Sequence, residues 1–425
     1  MLVFSGTAAA ATWLDVNGII KNHSVELIGQ GSLDANTSII DPNSGKPIEF
    51  VLIGQDSRDG EENQSVGGNF DDVVGNHQAD TTMVAQISAD RTKINLVSIP
   101  RDSLVDVPQC ETTNGTIPAQ YNVMFNSIFA NAYQTGGDLA SAASCTLNAV
   151  NSLTGLNIQN FIVVDFAGLV KMINAVGGVD LCIPQDVDDP YTSLQLTKGL
   201  HHLDGYQATQ YARTRHGLGD GSDTSRTTRQ QYLIKQLMNE ALSKNLFTDT
   251  AQLYQLAKAA LQSLYISQGM ADTAALAGLA MSLKDFNLSN LYSQTVPVVS
   301  APSDPNRSVW ADEAETLWDK MRMDKPIYGS DESDTNTDAD SAGNAGDSTD
   351  NSTESTGNTG SQEAAPTPDP VTGLITQADG TLIDPNTGGT VDPEDGSIHD
   401  ALTGQYIGLA DRYLNATVCA VPAKN

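Results

Sequence analysis

The chain has 425 residues and a formal net charge of −30 at pH 7, with 52 Asp and Glu against 22 Lys and Arg. Bulk electrostatic attraction to nucleic acid is therefore excluded, because it requires a basic face. Much of the acidity is local, since residues 330–400 contain sixteen Asp and Glu and no Lys or Arg.

The N-terminal thirteen residues, MLVFSGTAAAATW, are apolar and small. They fall short of the roughly 20 residues that span a bilayer, and they lack the basic start of a secretory signal peptide. We interpret 1–47 as the remnant of an anchor helix followed by a polar leading segment. An ordinary buried or frayed terminal helix is the alternative.

Polar pairs follow two of the predicted strands. Three short apolar runs predict buried strands: Ile48–Gly54, Thr81–Ser88 and Lys93–Ile99. The first run leads to Asp56 and Arg58, and the third leads to Arg101 and Asp102. Such positions, just past strand ends, are where open α/β sheets place ligands.

The middle of the chain alternates helical and strand patterns. Helices are predicted at Phe125–Gln134, Leu139–Leu153, Phe166–Val176, Asp204–Arg213, Thr250–Leu264, Asp272–Asp285 and Asp312–Met323. Strands are predicted at Phe161–Asp165, Val179–Ile183 and Leu291–Val299. The strand–helix–strand order predicts an α/β domain over 48–325, a three-layer α-β-α sandwich around a mixed central sheet.

One stretch, Tyr211–Gln231, holds four arginines: Arg213, Arg215, Arg226 and Arg229. Guanidinium groups bind phosphate oxygens bidentately and stay charged, so the cluster predicts a phosphate or pyrophosphate ligand. A solvated helix face is the alternative. Asp223 or Ser225 is predicted to cap the next helix, which places Arg226, Arg229 and Gln230 near a helix N-terminus, where anion binding is reinforced.

The C-terminal region divides into two parts. Residues 326–400 have too few apolar residues for a core, and we predict an acidic disordered linker with Asp-Pro and Gly turn repeats at 379–389 and 392–404, where small hairpins are the alternative. Residues 401–425 become apolar again and contain Cys419. With Cys110, Cys145 and Cys182, it makes an even number of widely spaced cysteines, which suits two disulfides in an oxidising compartment; buried free thiols are the alternative.

No Walker loop, dinucleotide-binding glycine pattern, H-E-x-x-H or G-x-S-x-G is present, and His201–His202 is interpreted as a loop pair. The remaining chemistry is carboxylates with arginines at strand ends. Carboxylates suit Mg²⁺ and guanidiniums suit phosphate oxygens, which together indicate phosphoryl transfer.

The sequence resembles the LytR-CpsA-Psr family. The matching segments run in family order from Glu49 to about Leu246: FVLIGQDSR (50–58), ADTTMVAQISADRTKINLVSIPRDSLVDVP (79–108), FNSIFANAYQTGG (125–137), LVKMINAVGGVDLCI (169–183) and YARTR with DTSRTTRQQ (211–231). The cysteine positions resemble those of actinobacterial members.

The resemblance implies a phosphotransferase that moves a glycopolymer from a polyprenyl-pyrophosphate carrier onto peptidoglycan and releases polyprenyl phosphate. It implies Mg²⁺, with Mn²⁺ as an alternative, held by Asp56 and Asp80. It further implies that catalysis depends on those two carboxylates with Arg101 and Arg226. The implied substrate-binding residues are Arg58, Arg213, Arg215, Arg229 and Gln230, with Arg229 the weaker candidate. The polyprenyl tail is expected in an apolar groove among the helices of 126–180 and 226–245.

The resemblance also implies a protein held on the extracytoplasmic face of the membrane by a single N-terminal helix. For a protein in that location we predict two disulfides, Cys110–Cys145 and Cys182–Cys419. The second tethers the tail to the body.

This chain departs from the family in one motif. Many members have Arg before the second metal-binding Asp, whereas here the sequence is Gln78–Ala79–Asp80–Thr81. The missing contact is either lost or supplied by Arg58. Asp102 has two equal interpretations, a structural cap or a catalytic group, and orienting Arg226 is the alternative role for Asp223.

Two other functions fit the same residues. A pyrophosphatase would use water in place of the sugar hydroxyl, and a non-catalytic wall-associated protein would hold lipid-linked glycan without turnover. A passive binder has no need of two metal-binding carboxylates, so the presence of Asp56 and Asp80 favours catalysis.

Overall fold

A computed structural model describes residues 15–30, 40–57, 62–63, 66, 77–243, 250–328 and 367–420, and for 250–256 the backbone alone. Residues 15–23 are helical. The further helices are α1 (Phe125–Gly136), α2 (Leu139–Thr154), α3 (Phe166–Val176), α4 (Gly205–Arg213), α5 (Asp223–Ser243), α6 (Thr250–Ser263), α7 (Thr273–Ser282), α8 (Glu313–Arg322) and α9 (Asp411–Tyr413). None of the helices in these ranges is long and apolar enough to cross a bilayer. The predicted anchor remnant, Met1–Trp13, lies outside them.

The strands are, in chain order, β1 (Ser24–Val25), β2 (Ile48–Asp56), β3 (Gln78–Ile87), β4 (Ile94–Ile99), β5 (Leu104–Val107), β6 (Cys110–Thr112), β7 (Gly115–Ile117), β8 (Gln120–Met124), β9 (Phe161–Asp165), β10 (Val179–Ile183), β11 (Val187–Asp189), β12 (Leu194–Leu196), β13 (Gly199–Leu203), β14 (Leu264–Ser267), β15 (Leu291–Thr295), β16 (Val298–Ala301), β17 (Asp304–Trp310), β18 (Ile375–Thr376), β19 (Leu382–Ile383), β20 (Thr390–Val391), β21 (Ser397–His399) and β22 (Tyr406–Leu409).

The central sheet is mixed, as predicted. Its order across the described part of the chain is β1-β14-β9-β2-β3-β4-β15. Strands β9 and β2 are parallel, whereas β2, β3 and β4 pair antiparallel in sequence. Strand β1 comes from the leading segment and pairs with β14, so the predicted boundary at residue 47 does not separate that segment from the body.

Helices cover both faces of the sheet, which confirms the three-layer sandwich. Successive strand residues point to opposite faces. Val51 and Ile53 of β2 are fully buried against α1, α2 and α8. On the other face, Met83 of β3 packs with Ile234 of α5 and Leu279 of α7. Strand β3 is buried on both sides, because its successive residues Val84 and Met83 belong to the cores on opposite faces, as expected for a strand in the middle of a sandwich.

A second, smaller core lies beside the sheet and positions the arginine stretch. Residues of α3, α4 and α5 pack against the hairpins β10–β13 and β11–β12. Tyr211 of α4 and Tyr232 of α5 are almost fully buried there. The burial of these two large side chains fixes the end of α4 and the start of α5 relative to the hairpins.

Residues 367–409 do not form the disordered linker that was predicted up to residue 400. Strands β18 to β22 make an antiparallel meander that crosses that boundary. Three of its turns share one hydrogen bond. Asp369, Asp384 and Asp400 each accept a hydrogen bond from the N–H three residues later. The Asp-Pro and Gly repeats at 379–389 and 392–404 are thus the turns of a small sheet, which agrees with the hairpin alternative. Residues 329–366 lie outside the described ranges.

Two disulfides are present, with the pairings predicted above. Cys110 bonds Cys145 and Cys182 bonds Cys419, with Cα–Cα distances of 5.5 and 5.8 Å. The second bond joins β10 to the segment after α9. It therefore ties the C-terminal meander to the small core that carries the arginine stretch.

The predicted helix Thr250–Leu264 is confirmed as α6, which ends at Ser263, where β14 begins. Two other local predictions are wrong. The predicted strand Leu291–Val299 is interrupted, because β15 joins the central sheet and β16 turns away to pair with β17. His201 and His202 lie in β13 rather than in a loop.

Candidate functional site

A cavity of about 430 Å³ lies between the central sheet and helices α3 and α5. Its apolar lining comes from strands and from the middle of the helices: Leu52, Met83, Ile162, Val164, Leu169, Met172, Leu233, Ile234, Leu237 and Leu264. Its polar lining includes residues from strand ends, from the end of α4 with the loop after it, and from the first turns of α5: Asp56, Asp80, Arg101, Arg213, Arg215, Arg226 and Gln230. The cavity is thus amphiphilic, and seven of the predicted site residues meet in it.

The two predicted metal-binding carboxylates are brought together by strand pairing. Asp56 ends β2 and lies opposite Gln78 of β3. The register then shifts, because Gly54 pairs with Thr81 while Gln55 pairs with Ala79, which leaves Asp80 as the extra residue of a β-bulge. Bulges re-aim side chains near active sites, and here the bulged Asp80 lines the cavity with Asp56.

Asp80 is held between two arginines. Its Oδ1 lies 2.7 Å from Nη1 of Arg101, its Oδ2 lies 3.7 Å from Nη1 of Arg226, and its backbone carbonyl accepts a hydrogen bond from Arg226. Burial opposes ionisation of Asp80, but the charges of Arg226 and Arg101 outweigh it. The pKa of Asp80 therefore lies below the ordinary value of 3.8.

Asp223 joins the same two arginines instead of capping α5. The backbone N–H of Arg101 donates to Asp223 Oδ2 at 3.0 Å, and the guanidinium of Arg226 bonds Oδ1. The cap is Ser222, whose Oγ accepts from the N–H of Ser225 at 3.1 Å. Neither Asp223 nor Ser225 therefore caps the helix, and the alternative role of Asp223, orienting Arg226, matches the geometry.

Arg213 and Gln230 line the cavity while bonded to neighbouring elements. The guanidinium of Arg213 lies 4.4 Å above the ring of Phe166 and donates to the carbonyl of Val66. Gln230 accepts from the hydroxyl of Thr81 and donates to the carbonyl of Ala212. Phe166 and Thr81 were not predicted as site residues, although Phe166 begins a predicted helix and Thr81 begins a predicted strand.

Arg215 differs from the other arginines of the stretch. Within the described ranges its guanidinium makes no hydrogen bond or ion pair, while its backbone N–H donates to Asp189. Burial and the charges of Arg226 and Arg101 lower the pKa of Arg215. A guanidinium held among other cations without a bonded acceptor favours an anionic ligand at this place.

The loop between Arg215 and α5 depends on glycine. Gly217, Gly219 and Gly221 all have positive φ angles, of 74°, 61° and 74°. A Cβ on Gly219 would lie 2.3 Å from Ser225 Oγ. This conformation is open mainly to glycine, which explains the spacing of the motif RHGLGDGS.

Arg229 does not belong to the cavity, which corrects its prediction as a substrate-binding residue. It is 5% exposed, and its guanidinium donates to the carbonyls of Leu218 and Thr214 and to Ser225 Oγ. One helical turn from Arg226, it faces the protein interior and holds the glycine loop against α5. Its role in the structure is to fix the loop.

Asp102 pairs with Arg307 of β17 at 2.9 Å and approaches Arg101 Nε at 3.7 Å. These contacts are ion pairs, whereas the structural interpretation of Asp102 was a cap. Arg58 lies outside the described residues, so its role stays a prediction.

The apolar lining also corrects the predicted groove. Helices α3 and α5 line the cavity, but α1 and α2 pack on the opposite face of the sheet. Of the predicted groove over 126–180 and 226–245, only the parts in α3 and α5 therefore border the cavity. The strands β2, β3 and β9 supply its floor.

The donor set at the polar end fits a hard divalent cation only in part. Asp56 and Asp80 provide two carboxylates, but the described residues contain no group of three or more His, Cys, Asp or Glu that could hold a metal. Mg²⁺ is commonly held by one or two carboxylates with substrate phosphates and water. The residues present thus fit a cation whose remaining ligands come from a bound phosphate.

Comparison with known proteins gives one family. The model of the LytR_cpsA_psr family matches residues 17–323. The chain is similar to the cell wall biosynthesis protein LcpA of Corynebacterium glutamicum, 29% identical over 300 residues, which are 67% of this chain and 57% of LcpA. It is also similar to the polyisoprenyl-teichoic acid–peptidoglycan teichoic acid transferase TagU of Enterococcus faecalis, 27% identical over 208 residues, or 49% of this chain and 58% of TagU.

The chain therefore spans less than three fifths of the length of either relative. Among solved structures, protein gbs0355 of Streptococcus agalactiae superposes with a TM-score of 0.51 at 20% identity, covering 67% of this chain and 89% of that one. This likeness concerns the fold.

Proposed function

We propose, from the premise that this chain belongs to the LytR-CpsA-Psr family, that it is a phosphotransferase of cell-wall assembly. It moves a glycopolymer from a polyprenyl-pyrophosphate carrier onto peptidoglycan and releases polyprenyl phosphate. The relative TagU carries the name of a transferase that acts between these two kinds of molecule, which supports the proposal.

The observation that carries the proposal is the division of the cavity lining. An apolar portion between α3 and α5 continues into a polar portion with four arginines. A polyprenyl pyrophosphate has the same division, with an apolar chain attached to a strongly anionic head. Apolar surface drives burial of the chain, while guanidinium groups bind the phosphate oxygens bidentately.

In the proposed reaction, the chain's residues position and neutralise the diphosphate. Arg215 and Arg226 contact its oxygens, Arg101 is held ready by Asp80 and Asp223, and Arg213 is fixed over Phe166. A peptidoglycan hydroxyl oxygen then forms a bond to the phosphorus that bears the glycan, and the bond from that phosphorus to the bridging oxygen breaks. The hydroxyl proton passes to solvent, and the lipid departs as its monophosphate, which keeps the bridging oxygen. Positioning and charge stabilisation dominate catalysis of this kind.

Mg²⁺, or Mn²⁺ in its place, is part of the proposal. Asp56 and Asp80 would hold it, and when bound it supplies charge neutralisation for phosphate oxygens. Asp80 would then share its carboxylate between the cation and Arg101.

The proposed location is the extracytoplasmic face of the cell membrane, with the domain in the cell wall and a single N-terminal anchor. Two disulfides support an oxidising compartment. The proposed partners are the lipid-linked glycopolymer, the peptidoglycan acceptor and the membrane.

The test incubates the protein with a polyprenyl-pyrophosphate oligosaccharide, peptidoglycan fragments and Mg²⁺, and identifies products by mass spectrometry. Oligosaccharide linked to peptidoglycan through phosphate is the expected product, and Arg226→Ala should lose it. Free sugar phosphate without linked product would instead indicate hydrolysis. Lipid that binds equally to wild type and Asp80→Ala and is turned over by neither would indicate a non-catalytic binder.

A further inference from the structure

An aromatic pair includes His216, the residue that directly follows Arg215 of the cavity lining. Tyr191, in the turn between β11 and β12, stacks on His216, with ring centroids 4.5 Å apart and an interplanar angle of 29°. Tyr191 is 56% exposed, and the side chain of His216 is 59% exposed. Two stacked rings that both keep more than half of their surface in solvent contribute little to a core. Contacts other than apolar burial must therefore hold the two rings in place.

The buried carboxylate of Asp189 holds the backbone on both sides of the aromatic pair. Its side chain is fully buried, and it accepts hydrogen bonds from the backbone N–H groups of Tyr191 at 2.9 Å, Arg215 at 3.2 Å and His216 at 3.4 Å. Asp189 thereby fixes the hairpin turn against the segment that carries Arg215. A buried ionised group is costly unless it is fully hydrogen-bonded, and here its bonds go to these three residues.

A second contact reinforces the same junction. The hydroxyls of Thr192 and Thr214 lie 2.9 Å apart, and Gln210 of α4 donates to the carbonyl of Thr192. The aromatic pair is therefore held in a fixed relation to Arg215, the cavity arginine without a bonded acceptor among the described residues. A rigid platform next to an anion-binding group is the arrangement of a preorganised binding site.

We propose that Tyr191 and His216 form a sugar-binding platform for the pyranose ring next to the pyrophosphate. The apolar face of a pyranose stacks on an aromatic ring, and Tyr also offers a polar edge to ring hydroxyls. The pyranose joined to the phosphate through its glycosidic oxygen is the nearest sugar to Arg215, and His216 directly follows Arg215 in the chain. The inference rests on the proposed function and adds to it the sugar side of the substrate.

The pyranose could belong to the lipid-linked donor or to the peptidoglycan acceptor, and the experiment separates them. The full chain is titrated with a polyprenyl-pyrophosphate disaccharide and, separately, with geranylgeranyl pyrophosphate, which has no sugar. Tyr191→Ala should weaken the first by about 3- to 10-fold, a typical aromatic contribution, and leave the second unchanged. Tyr191→Phe should keep most of the affinity, because it keeps the stacking ring and loses only the contact of the hydroxyl. Tyr121→Ala is the matched control, since Tyr121 is 73% exposed on β8, away from the cavity.

The acceptor arm measures the KM for peptidoglycan fragments with the same variants. An unchanged donor affinity with a raised acceptor KM assigns the platform to the acceptor sugar. An equal loss for both lipids, or no effect of Tyr191→Ala in either arm, overturns the inference. Wild-type protein that binds neither lipid overturns the proposed function first and the platform with it, so the two failures are distinguishable.

Discussion

Asp80 Oδ1 lies 2.7 Å from Nη1 of Arg101, and this contact joins the bulge of β3 to the end of β4. The carboxylate also faces Arg226. Without it, the arginines would repel one another in a partly buried space. The ion pair therefore lets several arginine side chains lie close together in the cavity before a phosphate binds.

Asp223→Asn should loosen the two arginines that Asp223 holds. It removes one of the two charged partners of Arg226, the other being Asp80, and weakens the bond from the Arg101 N–H. We expect a loss of about 1–3 kcal/mol in the free energy of unfolding, measured by denaturant titration. Added inorganic pyrophosphate should stabilise this variant more than wild type, because the anion replaces the missing carboxylate.

The matched control is Asp319→Asn, which breaks a surface ion pair with Arg322. It should cost about 0–1 kcal/mol and leave the response to pyrophosphate unchanged. Equal responses of Asp223→Asn and wild type would contradict the orienting role of Asp223.

Asp80→Asn should change how stability depends on pH. The pKa of Asp80 is lowered in the folded state, so its contribution is fully present above the unfolded value of 3.8. It is lost as the pH falls through the folded pKa. The stability difference between wild type and variant should thus be largest at neutral pH and shrink below pH 3.8. A difference that stays constant from neutral pH into strong acid would show that the ion pairs of Asp80 do not stabilise the fold.

Met172→Trp should obstruct the apolar part of the cavity, which Met172 lines from α3. We expect weaker binding of long-chain polyprenyl pyrophosphate and unchanged binding of inorganic pyrophosphate, both measured by calorimetry. Met281→Trp, at a residue 53% exposed on α7, serves as the control. Equal loss of both ligands would mean that the substitution disturbs the arginines, and no loss of the lipid would place the chain elsewhere.

Cys419→Ser should release the C-terminal meander from β10. The disulfide closes a loop between residues 237 apart in sequence, and its removal should cost about 2–4 kcal/mol. Limited proteolysis should then cut the meander faster than in wild type under the same non-reducing conditions. Unchanged proteolysis would show that noncovalent contacts, such as the bond from Tyr232 to Asn415, hold the meander by themselves.

The sequence predicts the sandwich and much of the site because both depend on local signals. Apolar runs mark the strands, and polar residues after β2 and β4 mark the edge where Asp56 and Arg101 lie. What it does not predict is long-range pairing. The bulge at Asp80 appears only once β2 and β3 are aligned, and Arg229 differs from Arg226 only in the face of α5 on which each lies.

The C-terminal meander shows a different limit. Composition alone cannot separate an acidic linker from a sheet whose strands are two to four residues long. An acidic linker and such a sheet contain the same proportions of Asp and Gly. The distinction comes from Asp hydrogen bonds within each turn and from packing of Val391, Ile398 and Tyr413, neither of which composition reports.

A crystal structure with a bound polyprenyl-pyrophosphate oligosaccharide would show whether one cavity holds both parts of a lipid pyrophosphate. We expect the isoprenyl chain between α3 and α5, and phosphate oxygens within hydrogen-bond distance of Arg215 and Arg226. A lipid bound outside this cavity, or a diphosphate that contacts neither arginine, would overturn the proposed function of the cavity.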